Sequence, residues 1–136
     1  MPSLGLTAEV GSRLLGVAGE ALKNAYAPYS KNRVGAALLT HRGNIFAGVN
    51  VENASYGLTI CAERAAILAA VAQEGEAMRI RALAVVNEKN TPFSPCGACR
   101  QVILEFGPQA VVFFRGRDGL KEVPAEELLP EGFSLP

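Results

Sequence analysis

The run Cys61-Ala62-Glu63-Arg64-Ala65-Ala66-Ile67-Leu68-Ala69-Ala70-Val71-Ala72 decides how the rest of the chain is read. After its two charged residues it is apolar at every position, so no polar stripe marks a solvent side. A helix that is apolar all round is buried all round. In a domain this small, one layer seldom covers a helix on every side. The expected cover is therefore a sheet on one side and a second subunit on the other.

Working outward, short apolar runs bounded by turn residues lie on both sides of that helix. Upstream, residues 34–39 and 45–49 read as strands around the turn His41-Arg42-Gly43-Asn44, which predicts a hairpin. Downstream, residues 82–86 and 110–114 read as strands separated by a helix over Gly97–Phe106. The turn Gly116-Arg117-Asp118-Gly119 precedes a short strand at 120–123, and a last short helix is expected at 126–129. Near the start, Val10, Leu14, Val17, Ala18, Ala21, Leu22 and Ala25 recur at helical spacing, with Glu9, Arg13, Glu20 and Lys23 opposite. Thr7 reads as the N-cap of this helix and Pro28 as its end. A hairpin followed by alternating helix and strand predicts an α/β fold, a mixed sheet of about five strands with helices on its faces. No repeat or linker interrupts the pattern, so residues 1–136 are expected to form one domain.

Composition narrows the function. At 49% hydrophobic and 19% charged residues, the 136-residue chain has enough apolar material for a core. Its 13 basic and 13 acidic residues cancel and are spread along the chain. A nucleic-acid partner calls for a basic excess or stripe, so a small-molecule ligand is expected instead. Met1 to Thr7 shows no leader pattern, and no run approaches the roughly 18 apolar residues of a membrane span. Together these predict no membrane partner and a cytoplasmic location. In a reducing compartment three cysteines read as metal ligands or reactive thiols rather than disulfides, and any disulfide scheme would leave one over.

The chemistry rests on Cys61-Ala62-Glu63 and Pro95-Cys96-Gly97-Ala98-Cys99. Cys96 and Cys99 stand at i and i+3 where a helix is expected to begin. That spacing puts both sulfurs on one face, and a helix N-terminus favours thiolate. Cys61 opens the earlier helix, so two helix N-termini could meet at one sheet edge and direct three sulfurs at one zinc ion. Three protein ligands leave tetrahedral zinc a position for water, the mark of a catalytic centre. Were His41 a fourth ligand, the centre would be closed and structural. His41 lies in the predicted hairpin turn, however, and Glu63 stands two residues after Cys61. A glutamate so placed, followed later by Pro-Cys-x-x-Cys, is the pattern of the zinc deaminases. The competing readings are a redox Cys-x-x-Cys pair and a zinc-stabilised binding module without turnover.

Further stretches carry a family likeness: Ala25-Tyr26-Ala27-Pro28-Tyr29-Ser30 with Val34-Gly35-Ala36-Ala37-Leu38-Leu39, then Asn50-Val51-Glu52-Asn53-Ala54-Ser55-Tyr56-Gly57-Leu58-Thr59-Ile60-Cys61-Ala62-Glu63-Arg64, then Ser94 through Val102, and Leu128-Leu129-Pro130. From about Leu14 to Phe133 the chain resembles the small zinc-dependent cytidine deaminases. The resemblance implies a three-layer α/β/α fold, one Zn2+ per subunit and a homotetramer whose active sites are shared across interfaces. It implies hydrolysis of cytidine and deoxycytidine to uridine and deoxyuridine plus ammonia, in pyrimidine salvage. Glu63 would take a proton from the attacking water, deliver it to N3 and then protonate the departing amine. Arg64 would offset the charge of three thiolates by hydrogen-bonding ligand sulfurs. Asn50 and Glu52 would hold the ribose, Ala54 would offer backbone groups to the base, and Phe133 and Tyr56 would reach across subunit interfaces, with packing in the core the alternative for both.

One position departs from the pattern. Ser30-Lys31-Asn32-Arg33-Val34 has Asn32 where the family usually carries a phenylalanine stacked on the pyrimidine. Blasticidin-S deaminases share the cysteine framework and also lack that ring, so they remain an alternative, as does a deaminase of a modified cytidine. They do not carry the Asn-x-Glu-Asn-Ala run found at residues 50–54.

Overall fold

The structure, a computed structural model, describes residues 4–136. Five strands are present: β1 (Val34–Thr40), β2 (Ile45–Val49), β3 (Ile80–Asn87), β4 (Val111–Gly116) and β5 (Gly119–Pro124). They form one sheet in the order β2-β1-β3-β4-β5. The helices are α1 (Leu4–Ala21), α2 (Ala62–Glu74), α3 (Gly97–Phe106) and the single turn α4 (Ala125–Leu128). β1 pairs antiparallel with both β2 and β3, β4 pairs antiparallel with β5, and only β3 and β4 run parallel. A parallel pair needs a crossover, and α3 supplies it. The sheet is mixed, as expected.

Alternation along the central strands builds the three layers. Ala37, Ala82, Ala84 and Phe113 face one way and pack on Leu14 and Ala18 of α1. Ala36, Leu38, Leu83, Val85 and Val112 face the other way, onto Ala62, Ala66, Ile67 and Ala70 of α2 and Ile103 of α3. Both faces of β1 and β3 are covered, which is why these strands read as unbroken apolar runs.

Several local expectations are corrected. Thr7 lies inside α1 rather than capping it. Residues 1–3, part of the stretch read for a leader, lie outside the described residues. Pro28 does not end α1. The helix stops at Ala21, tightens into one 3-10 turn over Leu22–Asn24, and becomes extended at Ala25. Tertiary pairing explains the early stop, because Tyr26 donates to Asn50 O at 3.0 Å and accepts from Glu52 N at 2.9 Å. Strands β1, β3 and β5 run a residue or more beyond the expected limits, β4 is displaced by one or two, and the last helix starts one residue earlier.

The burial of α2 is uneven. Ala62, Glu63, Ala66, Ile67, Ala70 and Glu74 are buried, yet Leu68 is 58% exposed and Ala69 and Ala72 are also exposed. Within one chain, α2 is covered by the sheet on one side only.

Candidate active site

Cys61 occupies the N-cap of α2 and Cys96 the N-cap of α3, both with extended backbone. Neither side chain caps its own helix. Their sulfurs are therefore free to point at a common centre, and Cys99 joins them from the first turn of α3. The three Sγ atoms lie within 4.8 Å of one another, and Cys61 Sγ is 3.9 Å from Cys96 Sγ. Two thiolates on tetrahedral zinc, each bond about 2.3 Å, stand about 3.8 Å apart. Soft sulfur donors at this spacing suit zinc, and the residues present fit one ion. The expected ligands Cys61, Cys96 and Cys99 thus converge, and among the described residues they form the one such metal-ligating group. His41 is elsewhere: it sits in the hairpin turn, where its Nδ1 accepts from Arg79 N at 3.2 Å.

Electrostatics follow from the packing. A hydrogen bond from Cys99 and another from the Arg64 guanidinium hold the Cys61 thiol down at about 5, against the opposing effect of burial. Cys99 is pushed up, first by that same bond with Cys61 and then by burial. Arg64 Nη2 donates to Cys61 Sγ at 3.3 Å, one turn along α2. Its Nε is buried without a partner among the described residues.

Glu63 is 2% exposed. Burial raises its carboxyl to about 7, and the negative field of Cys61 adds to that rise. A carboxyl poised near neutral pH beside a sulfur cluster is placed to take up and release a proton.

Of the remaining expected residues, Asn50, Glu52, Ala54 and Tyr56 lie along the segment between β2 and Cys61. Val51 bridges Ile60 in antiparallel register, which brings Asn50 and Glu52 alongside the residues that lead into Cys61. Glu52 Oε1 accepts from Tyr29 N at 2.9 Å and Ser30 N at 3.0 Å. Bonds from the Ser30 hydroxyl and backbone hold its carboxyl below the usual range. With Tyr29, Ser30, Tyr56 and Thr59 it lines a cavity of about 280 Å³. Asn50 is buried and engaged differently: its Oδ1 accepts from Val34 N at 2.9 Å and its Nδ2 donates to Asn32 O at 3.1 Å. Ala54 lies exposed on the same loop. Tyr56 is 75% exposed, its ring edge-on to Tyr29 at 6.1 Å, and Phe133 is 67% exposed on the C-terminal segment. Tyr29 and Ser30, which present backbone amides to Glu52, were legible only as part of a motif. No spacing rule points to a backbone donor.

A three-thiolate centre on a three-layer α/β/α sheet, with a buried carboxyl at its side, defines a zinc-binding hydrolytic enzyme. Residues 9–115 match the family described as the cytidine and deoxycytidylate deaminase zinc-binding region. The chain belongs to that family. It is similar to the cytidine deaminase of Sporosarcina psychrophila, 44% identical over 124 residues that span 90% of each chain. The crystal structure of cytidine deaminase from Burkholderia pseudomallei superposes with a TM-score of 0.80 at 46% identity, covering 90% of this chain and 98% of that one. The blasticidin-S deaminase of Bacillus cereus is more distant, 33% identical over 107 residues, or 74% of this chain and 76% of its own length.

Proposed function

We propose that this chain deaminates cytidine and deoxycytidine by zinc-dependent hydrolysis, giving uridine or deoxyuridine and ammonia. The observation that carries the reading is geometric: the Cys61, Cys96 and Cys99 sulfurs lie within 4.8 Å of one another, with the buried Glu63 on the helix turn that Cys61 begins. Zinc held by Cys61, Cys96 and Cys99 would supply Lewis acidity that activates water near neutral pH. Glu63 accepts a proton from the attacking water and passes it to ring N3, then takes the remaining proton of that oxygen and delivers it to the departing amine, so that ammonia leaves as the C4 carbonyl forms. Arg64 offsets the excess negative charge of the thiolates through Cys61. The Glu52 carboxylate, steadied on one oxygen by two backbone amides, takes a ribose hydroxyl. A phosphate there would meet like charge, which favours nucleosides over nucleotides. Asn50 shapes the same subsite, Ala54 offers backbone groups to the base, and Tyr56 and Phe133 complete a neighbouring subunit's site.

The exposed side of α2, together with the exposed Tyr56 and Phe133, supports a homotetramer with shared active sites. One continuous sheet covered on both faces supports a single domain over residues 1–136. Three cysteines gathered at one centre rather than paired suit a reducing, cytoplasmic setting, and conversion of a cytosine nucleoside to a uracil nucleoside suits a role in pyrimidine salvage. No described helix is long and apolar enough to cross a membrane. Over blasticidin S or a modified cytidine, the substrate reading is favoured by the Asn50 to Ala54 run and the greater likeness to cytidine deaminases.

The test is loss of cytosine absorbance with zinc-loaded protein, using cytidine and deoxycytidine in parallel. Glu63→Gln should keep zinc and lose about 100-fold or more of the rate. A near-normal rate in that variant would remove Glu63 from the role.

A further inference from the structure

Arg100 and Gln101 follow Cys99 directly on α3, and both side chains reach away from the helix to hold other segments. Arg100 donates from Nε to Pro95 O at 2.7 Å, from Nη2 to Ser94 Oγ at 3.1 Å and from Nη1 to Leu128 O at 2.9 Å. Gln101 Nε2 donates to Phe133 O at 3.2 Å. Between those two anchors the chain lies close against α3. A Cβ on Gly132 would stand 2.7 Å from Leu104 Cδ2 and 2.9 Å from Leu129 O. Residues 128–133 thus form a strap along α3, tied at each end by a side chain from the two residues after Cys99.

The Pro95 carbonyl belongs to the peptide that leads into Cys96. A guanidinium that grips this carbonyl and the Leu128 carbonyl at once joins the loop before one ligand to the seat of the strap. Its planar fork is suited to hold several acceptors in fixed geometry. Groups that orient metal ligands in this way commonly alter metal affinity by about 10–100-fold. We infer that Arg100 is a positioning residue that couples the seating of the C-terminal strap to the hold of Cys96 and Cys99 on zinc. The inference rests on the three-cysteine reading of the site, and deepens it by adding a control from the C-terminal segment.

The experiment follows zinc release from the full-length protein to a chromophoric chelator. It compares the unchanged chain with Arg100→Met, Arg100→Lys and Gly132→Val. Absorption of the cobalt-substituted forms and melting of the zinc-free forms are measured alongside. Arg100→Met should release zinc tenfold faster or more and change the sulfur-to-cobalt charge-transfer band, with Lys recovering part of both. Gly132→Val, which lifts the strap without touching the metal loop, should release zinc severalfold faster. Release within twofold of the unchanged chain in both Arg100→Met and Gly132→Val would overturn the inference. So would an unaltered cobalt spectrum with only a lowered melting temperature. If Arg100→Met fails to fold, the Gly132→Val rate decides alone. Failure of the unchanged chain to bind zinc at all would instead overturn the three-cysteine reading.

Discussion

Asn32 combines an unusual identity with an unusual environment. Its main chain is held on both sides: Asn32 N donates to Ser30 Oγ at 3.1 Å and Asn32 O accepts from Asn50 Nδ2 at 3.1 Å. Its side-chain Oδ1, by contrast, is buried with no hydrogen-bond partner among the described residues. A buried acceptor left unpaired costs about 1–3 kcal/mol. Replacement by an aromatic ring removes that polar atom and adds a face on which a base can stack, itself worth about 1–3 kcal/mol. Asn32→Phe should therefore lower KM for cytidine, roughly fivefold or more, with kcat changed less. Steady-state kinetics on cytidine check it, and an unchanged KM would mean that the base is held by other groups. Asn50 illustrates what the sequence conceals at this scale. The resemblance assigns it to the ribose, and the structure adds that its amide accepts from Val34 N and donates to Asn32 O, ordering the entry to β1.

At the scale of elements, the position of α2 on the sheet sets the site, because Cys61, Glu63 and Arg64 all belong to its first turn or cap. Gly48 of β2 is the close approach that allows it. A Cβ there would meet Ala66 N and lie 2.6 Å from Ala62 O, both main-chain atoms of α2. Backbone cannot swing aside as a side chain does, so Gly48→Ala should push the helix outward. The expected result is a loss of about 1–3 kcal/mol in stability together with reduced activity, read by urea unfolding and initial rates. A stable but slow variant would show that helix placement, rather than folding, limits the site.

The other end of α2 is latched to the β1–β2 turn. Glu74 Oε2 accepts from Asn44 Nδ2 at 2.6 Å and from Thr40 Oγ1 at 2.8 Å. The bond from Asn44, helped by that from Thr40, holds the Glu74 carboxyl below its ordinary value of 4.5, against burial. A lowered folded pKa gives a contribution that is present above about pH 4.5 and is lost as pH falls through the folded pKa. Glu74→Gln should thus flatten the acid loss of stability below about pH 4.5, measured as urea midpoints at two pH values on either side. An unchanged acid slope would place that titration in other carboxylates. The strands and helices flanking this latch were legible from periodicity. Glu74 itself was not, since its partners lie 30 and 34 residues away.

For the whole molecule, the exposed side of α2 is the feature that one chain leaves unexplained. Leu68 is 58% exposed among exposed alanines on a helix whose opposite side is buried, and it is the residue on which the proposed contact with another copy is tested. Leu68→Glu should yield a smaller species in size-exclusion chromatography, with activity lost if sites are completed across interfaces. An unchanged elution volume would move the interface elsewhere. Cysteine count, the Cys-Ala-Glu and Pro-Cys-x-x-Cys spacing and alternating periodicity determined the α/β class and the three-cysteine zinc set without coordinates, and pointed to Glu63 as the proposed proton carrier. These are local patterns, and side-chain chemistry at fixed spacing survives into any fold that keeps its helices. Only the tertiary structure decided where α1 stops, which side of α2 the sheet covers, and how Glu52 and Asn50 spend their polar atoms. It alone tied the C-terminal strap to the metal loop. Each of these depends on hydrogen bonds or close contacts between segments far apart in the chain, which no window along the sequence contains.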